Sequence, residues 1–196
     1  MAERIIRTFF GFDLPHEIRQ RAAALRTLVN DPKRAVRWVK GANIHLTIRF
    51  LGATPEEAVN DIAAAMQAAL AESPMATINV AGTGVFPTAT RPRVLWMGVG
   101  GDIAGLQALE QTIHQAVGPM GFPREDREYI PHITIGRVRY PQKITPDVSK
   151  FLHAEYESVK CTLRELHLFE SKPAEKGVVY IPLATFPLEV IDQEGS

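Results

Sequence analysis

Two short stretches of this sequence repeat one pattern: a histidine, an aliphatic residue, a threonine and a second aliphatic residue. The first reads HLTI at 45–48 and the second reads HITI at 132–135, almost half of the 196-residue chain later. Successive side chains of a strand point to opposite faces, so each histidine shares a face with its threonine. The repeat therefore predicts two related strands in two similar halves. If the halves pack around a pseudo-dyad, the imidazole and hydroxyl faces meet across a cleft.

The order of the remaining elements favours an α+β fold. Strand pairs are separated by helices, which favours antiparallel or mixed sheets over a strict strand–helix alternation. Asp102 predicts one helix start as an N-cap, and Thr54 with Glu57 predicts another as a capping box. Strands are predicted at 5–14, 45–51, 76–85, 93–99, 132–139, 158–170 and 177–186, and helices at 16–29, from 55 to about 72, at 103–117 and after Pro146.

The chain is expected to form a single domain over 1–196, because no Gly/Ser-rich linker or low-complexity segment divides it. Its two halves are expected to be lobes fused through their sheets, with one histidine motif in each. Residues 189–196 are acidic and end in Gly-Ser, which predicts a frayed tail.

Composition excludes several classes of protein. Lysine plus arginine and aspartate plus glutamate both number 22, so the net charge is zero, unlike proteins that coat nucleic acid. A local phosphate pocket remains compatible with this balance. The single cysteine, Cys161, forbids an internal disulfide and a Cys-rich metal site, which favours a cytoplasmic location. The charged start, Met1-Ala2-Glu3-Arg4, is not what a signal peptide predicts, and no apolar run of about 18 residues, as a membrane span requires, occurs in the sequence.

A histidine pair facing one cleft is suited to acid–base chemistry at phosphorus. Imidazole titrates near neutral pH, so one ring can be neutral and accept a proton while the other is protonated and donates one. Thr47 and Thr134 would offer hydroxyl donors to the non-bridging phosphate oxygens. No His-x-His or His-Glu-x-x-His pattern adjoins His45 or His132, and two ligands are fewer than a catalytic zinc requires, so no metal is predicted.

Arg137 and Phe50 each follow a motif histidine by five residues. Arg137 would clamp a phosphate and Phe50 would stack on a base. In a flat strand, an odd offset places both side chains on the face opposite to the histidines. A bulge at Gly136 would bring Arg137 back to the histidine face, and strand twist is the explanation available for Phe50. A surface arginine and a core phenylalanine are the alternatives.

The paired motifs resemble the 2H phosphoesterase superfamily, and their flanks resemble its RNA 2′,3′-cyclic phosphodiesterase family, also called LigT-like or 2′-5′ RNA ligases. The resemblance covers nearly the whole chain. The stretches that carry it are RTFFGFDLP (7–15), RWVKGANIHLTIRFLG (37–52), GVFPTATRPRVLWMGV (84–99), YIPHITIGRV (129–138) and LHLFESKPAEKGVVYIPLATFPL (166–188).

The resemblance implies two pseudo-symmetric lobes, each with an antiparallel sheet and outer helices, around a central cleft. It implies hydrolysis of RNA 2′,3′-cyclic phosphate ends to 2′-phosphomonoesters without metal or cofactor, and in some members ATP-independent 2′-5′ ligation. By motif position, His45 and His132 are the catalytic pair, Thr47, Thr134 and Arg137 contact phosphate, and Phe50 packs on the terminal base. His45 is favoured as the acid that protonates the 3′-oxygen and His132 as the base that activates water.

The expected partner is RNA with a cyclic phosphate end, tRNA fragments included, and the protein is expected to be a monomer without membrane contact. A phosphodiesterase acting on a small cyclic nucleotide, of the ADP-ribose type, and a non-catalytic RNA-end binding module remain as alternatives. Further cleft candidates flank the motifs or lie in the closing hairpin: Arg37, Trp38, Arg124, Arg127, Tyr129, His167 and Glu170. Basic residues around both motifs predict a positive cleft: Lys33, Arg34, Arg37, Lys40, Arg49, Arg124, Arg127, Arg137, Arg139 and Lys143.

Overall fold

The computed structural model describes residues 4–123, 128–140, 145–175 and 177–189. In chain order the elements are β1 (Ile5–Asp13), α1 (His16–Arg26), β2 (Val36–Trp38), β3 (His45–Pro55), α2 (Val59–Ala69), β4 (Ala76–Thr88), β5 (Arg91–Gly101), α3 (Ile103–Val117), β6 (His132–Val138), α4 (Ser149–Leu152), β7 (Val159–Leu163), β8 (Glu165–Ala174) and β9 (Gly177–Pro187). Short 3₁₀ turns lie at Gly41–Asn43, Glu56–Ala58 and Gly118–Met120. None of the described helices is long and apolar enough to cross a bilayer.

The strands form two antiparallel sheets, one in each lobe. The first sheet has the order β3-β1-β8-β9 and the second has the order β2-β6-β5-β4-β7. The first histidine motif opens β3 and the second opens β6, so each sheet carries one motif. The chain begins and ends its strands in the first sheet, which interleaves the two lobes. The predicted α+β, bilobal architecture is confirmed.

A single continuous cluster of buried apolar side chains joins both sheets and the helices. The aliphatic residues of both motifs belong to it, because their strand faces point inward. Leu46 and Ile133 are fully buried, which stabilises the fold by about 1.5–3 kcal/mol each. The opposite face of each strand is thereby turned away from the core.

Of the two predicted helix N-caps, one is confirmed and the other is wrong. The Asp102 N-cap is confirmed, because its Oδ1 accepts a hydrogen bond from the Gly105 N–H at 2.8 Å. The capping box at Thr54 is wrong. Thr54 lies in β3, where its buried hydroxyl is 2.8 Å from that of Thr8, and α2 begins only at Val59. Pairing with β1 outweighs the local capping signal.

Three other segments correct the sequence-based interpretation. The predicted strand over 158–170 is two strands, β7 and β8, which belong to different sheets and separate at Arg164. The short strand β2 was not predicted. Of the tail predicted at 189–196, Glu189 is anchored by main-chain hydrogen bonds to Ser73 and Met75, and residues 190–196 lie outside the described part of the chain.

Candidate active site

Matching bulges shape the two motif strands. Along β1 and β3, Gly11 is opposite Thr47 and Phe10 is opposite Arg49, which leaves Ile48 as the extra residue. Along β5 and β6, Trp96 is opposite Thr134 and Leu95 is opposite Gly136, which leaves Ile135 as the extra residue. A bulge reverses the alternation of faces beyond it.

The bulges explain how Phe50 and Arg137 reach the same side as the histidines. In both strands the burial alternates up to the bulge, continues with two buried residues, and then gives an exposed one, Phe50 or Arg137. The predicted bulge next to Gly136 is confirmed. The strand twist invoked for Phe50 is wrong, because the bulge at Ile48 in β3 turns Phe50 to the face of the strand that carries the histidine. Phe50 is 51% exposed, so it is not a core residue.

Both motif histidines are anchored by the same hydrogen bond. The Nδ1 atom of His45 lies 2.7 Å from the Asn43 carbonyl oxygen, and that of His132 lies 2.8 Å from the Ile130 carbonyl oxygen. A carbonyl oxygen can only accept, so Nδ1 carries the proton in each ring. Nε2 is left as the atom that gains or loses a proton, and in His45 it lies 2.8 Å from the Thr47 hydroxyl.

Aromatic side chains hold each imidazole in place. The ring of His45 lies 4.9 Å from that of Phe9 and 4.8 Å from that of Tyr180, which meets it edge-on. The ring of His132 lies 5.1 Å from that of Phe86, also edge-on. Such packing restricts ring rotation and removes water from one side of each imidazole.

Burial lowers the pKa of both histidines, and their carbonyl partners oppose this effect. The positive charge of Arg137 lowers the pKa of each ring further, so its guanidinium lies within electrostatic reach of both. A protonated His132 lowers the pKa of His45, while the carboxylate of Asp13 raises it. The two rings therefore share one electrostatic environment, and a nearby carboxylate favours the protonated form of His45.

A cavity of about 650 Å³ opens between the motif strands. Thr47, Phe50, His132 and Arg137 line it, together with an apolar wall that includes Phe86, Pro87, Val94 and Ile130. His45 and Thr134 are outside this lining; His45 is connected to the cavity through the Thr47 hydroxyl. The cavity thus combines titratable and cationic groups with an apolar surface, as a nucleotide site requires.

Comparison with known proteins identifies the family. A model of the 2′-5′ RNA ligase superfamily matches residues 14–175. This chain belongs to that superfamily. An RNA 2′,3′-cyclic phosphodiesterase of Methanothermobacter thermautotrophicus is 27% identical over 186 residues, covering 93% of this chain and 99% of the relative. A protein of the same name from Thermus thermophilus is 32% identical over 189 residues, covering 93% and 90%.

Solved structures of the superfamily share the fold. A crystal structure of a Thermus thermophilus protein superimposes with a TM-score of 0.78 at 26% identity, covering 95% of this chain and all of that one. E. coli LigT complexed with 3′-AMP gives a TM-score of 0.73 at 27% identity, covering 94% and 99%. The two-lobed fold inferred from the repeat is therefore the fold of these relatives.

Arg49, which was predicted to contribute positive charge to the cleft, is instead buried. Arg49 donates to the Glu110 carboxylate at 2.9 Å and to the carbonyl oxygens of Phe122 and Pro123 at 3.1 and 2.8 Å. Its charge is neutralised beneath the cavity, so the prediction for Arg49 is wrong. The pair secures the segment before residue 124, and breaking such a buried pair typically costs about 3–5 kcal/mol.

Arg37 and Arg137 form an unusual pair at the edge of the second sheet. They are directly opposite each other on β2 and β6, and both are exposed. Like charges in this arrangement destabilise a sheet unless an anion lies between them. Burial raises the pKa of Tyr180, and the charges of both guanidinium groups oppose this effect, so the phenol lies within the electrostatic range of both. Sequence reasoning missed Tyr180, which no local pattern marks.

The remaining candidates have structural partners or fall outside the description. Trp38 covers Gly136 and the Arg26 guanidinium, and His167 bonds the Thr185 hydroxyl. Glu170 lies 3.8 Å from Arg4.

Tyr129 lines the cavity, and its hydroxyl donates to the Thr47 carbonyl oxygen at 3.1 Å, which supports the first motif. Arg124, Arg127 and Lys143 lie outside the described residues. Within the described ranges, no group of three or more His, Cys, Asp or Glu side chains could hold a metal ion.

Proposed function

We propose that this protein hydrolyses the 2′,3′-cyclic phosphate at an RNA end to a 2′-phosphomonoester, with His45 and His132 as the acid–base pair and without a metal. The observation that carries the proposal is the matched anchoring of both Nδ1 atoms, which leaves two Nε2 atoms for proton transfer. The names of the relatives and the 3′-AMP complex of E. coli LigT support a nucleotide substrate.

In the proposed reaction, neutral His132 accepts a proton on Nε2 from a water molecule as its oxygen attacks phosphorus. The bond between phosphorus and the 3′-oxygen breaks, and the Nε2–H of protonated His45 passes its proton to that oxygen. His45 is given the role of the acid by its motif position; Asp13 raises its pKa, against the lowering by burial, Arg137 and a protonated His132. One proton enters the pair and one leaves it, so each turnover exchanges the protonation states of the two rings.

The proposed roles of the other residues follow from their positions. The hydroxyls of Thr47 and Thr134 donate to non-bridging oxygens, and a threonine hydroxyl can accept from His45 while it donates to phosphate. Arg137 compensates the charge that develops on phosphorus. Phe50, half-exposed at the cavity wall, stacks on the terminal base.

The same arrangement can support 2′-5′ ligation. If a 5′-hydroxyl replaces water as the nucleophile, breaking the same 3′ bond joins the two ends through a 2′-5′ linkage. The cyclic diester itself supplies the leaving oxygen, so the step needs no ATP. We also propose a monomeric enzyme in the cytoplasm that acts on RNA fragments, tRNA fragments among them.

The test is incubation with an oligonucleotide ending in a 2′,3′-cyclic phosphate in the presence of EDTA. We expect a 2′-phosphate, identified by ³¹P NMR, and a turnover lower by about 10²–10⁴-fold in both His45→Ala and His132→Ala. His153→Ala is the matched control, because that imidazole also bonds a carbonyl oxygen but lies just after α4. Near-full activity of either motif variant, or a requirement for metal, would contradict the proposal.

A further inference from the structure

A second cavity, of about 560 Å³, adjoins the first. Its lining includes Arg7 on β1, the segment 50–53 of β3, the segment 121–123 and Arg137. Phe50 and Arg137 line both cavities, so the two form one continuous groove around the exposed Phe50 ring. The residues that line only the second cavity have no role in the proposed reaction.

The second cavity differs from the first in chemistry. Among the described residues that line it, the charged ones are Arg7 and Arg137, and three others are the small residues Gly52, Ala53 and Gly121. At Gly52 and Gly121 the positive φ angles of 77° and 93° require glycine, and no atom lies within 4 Å of where a Cβ would stand. As lined by the described residues, the groove is therefore open beside both glycines and cationic, which suits a sugar–phosphate backbone better than a base.

Arg7 is available to a ligand. It is exposed, faces Ala53 across the β1–β3 ladder, and forms no ion pair with the described residues. Arg4, three residues earlier, has Glu56 at 2.5 Å and Glu170 at 3.8 Å as partners. The same strand end thus has one arginine neutralised by carboxylates and one that points its charge into the groove.

We propose that the second cavity binds the phosphodiester on the 5′ side of the terminal nucleotide, with Arg7 as its phosphate contact. This inference rests on the proposed function. A terminal nucleotide stacked on Phe50 with its cyclic phosphate near Arg137 sends its 5′ chain along the groove, and the next phosphate then reaches Arg7. The substrate is accordingly an RNA chain of at least two nucleotides, and a mononucleotide leaves the second cavity empty.

The experiment compares adenosine 2′,3′-cyclic phosphate with the dinucleotide that carries the same end. We expect the wild type to have the higher kcat/KM for the dinucleotide. In Arg7→Gln the ratio of dinucleotide to mononucleotide kcat/KM should fall by on the order of three- to ten-fold, as expected for loss of a partly exposed phosphate contact. Arg7→Lys should retain most of the ratio, and Arg4→Gln should leave it unchanged.

Salt dependence provides a second measurement. For the dinucleotide, the slope of log(kcat/KM) against log[KCl] should be shallower in Arg7→Gln by about 0.7, the value for one phosphate contact on a single strand. Equal losses on both substrates, an unchanged ratio, or no wild-type preference for the dinucleotide would overturn the inference while leaving the proposed function intact. Absence of wild-type turnover on both substrates would instead overturn the proposed function, and this inference with it.

Discussion

The two motif histidines are anchored alike but have different charged neighbours. In both rings a carbonyl oxygen holds Nδ1, and burial together with Arg137 lowers the pKa. Asp13 raises the pKa of His45, and a protonated His132 lowers it. Two residues of the same type, in the same sequence pattern, thus titrate under the influence of different neighbouring charges.

The pH dependence of turnover tests this electrostatic environment. We expect a bell-shaped profile of kcat/KM, because one ring must be neutral and the other protonated. Both limbs should lie below pH 6.5, since both pKa values are lowered from that of free imidazole. In Arg137→Gln a charge that disfavours both imidazolium forms is removed, so both limbs should move to higher pH, whatever happens to the maximum rate.

The matched control is Arg139→Gln, two residues further along, whose charge is not among the causes of either shift. The limbs should stay in place in this variant. NMR titration of the imidazole protons would assign each limb to a ring. Limbs that stay still or move to lower pH in Arg137→Gln would show that its guanidinium does not act on the histidines.

At the scale of elements, the decisive features are the bulges in β3 and β6. Each bulge inserts one residue after the motif threonine and turns the following side chains back toward the cleft. The bulge in β6 lies beside β2, where the side chains of Trp38 and Val36 cover Gly136. A Cβ added to Gly136 would approach each of these side chains to 2.9 Å, closer than packed side chains tolerate.

Gly136→Ala tests how tightly this bulge is packed. We expect the free energy of unfolding to fall by about 1–3 kcal/mol, because Trp38 and Val36 must shift to admit the methyl group. Urea titration followed by tryptophan fluorescence measures the change. Gly41→Ala is the matched control, since no atom lies within 4 Å of its Cβ position, and it should change stability by less than about 0.5 kcal/mol.

A smaller effect of Gly136→Ala than of Gly41→Ala would contradict this account of the bulge. Adding Val36→Ala to Gly136→Ala should recover part of the loss attributed to crowding. The two changes are therefore expected to be non-additive, as side chains in contact usually are.

At the scale of the whole molecule, the two lobes share one core. The buried cluster is continuous and contains residues of both sheets and of the helices. Leu46 in the first sheet and Ile133 in the second occupy equivalent motif positions, and both are fully buried. The geometry of the cleft thus depends on a core to which both lobes contribute.

A shared core predicts that the lobes unfold together. Leu46→Ala and Ile133→Ala should each lower the free energy of unfolding by about 2–5 kcal/mol. Both tryptophans, Trp38 and Trp96, belong to strands of the second sheet, so their fluorescence reports on that lobe, while far-UV circular dichroism reports on the whole chain. In Leu46→Ala, which alters the first sheet, the two signals should still change in one coincident transition. Separate transitions would show that each lobe folds independently.

The repeated motif was sufficient to predict much of the site. Alternation along a strand is a local property, so the buried faces of Leu46 and Ile133 and the shared face of each histidine with its threonine follow from the sequence alone. The N-cap at Asp102 is equally local and was predicted correctly. Thr54 was not, because its hydroxyl is bound by a strand that is distant along the chain.

Other features required long-range pairing and could not be read from the chain. The bulge at Ile48 exists only in the register of β3 against β1, and the burial of the Arg49 charge exists only because α3 brings Glu110 beside it. The segment over 158–170 looks like one strand, yet partners from two different sheets divide it.

The sequence by itself determined the two strands, their buried faces and the residue types available for chemistry, because these depend on neighbours a few positions apart. Only the tertiary structure decided which groups surround those residues. The proton on Nδ1 is set locally, by a carbonyl oxygen two residues before each histidine. The lowered pKa values and the approach of Arg137 and Tyr180 depend instead on groups brought together from separate strands. Electrostatic and hydrogen-bond energies fall off with distance in space, and distance along the chain does not predict that distance.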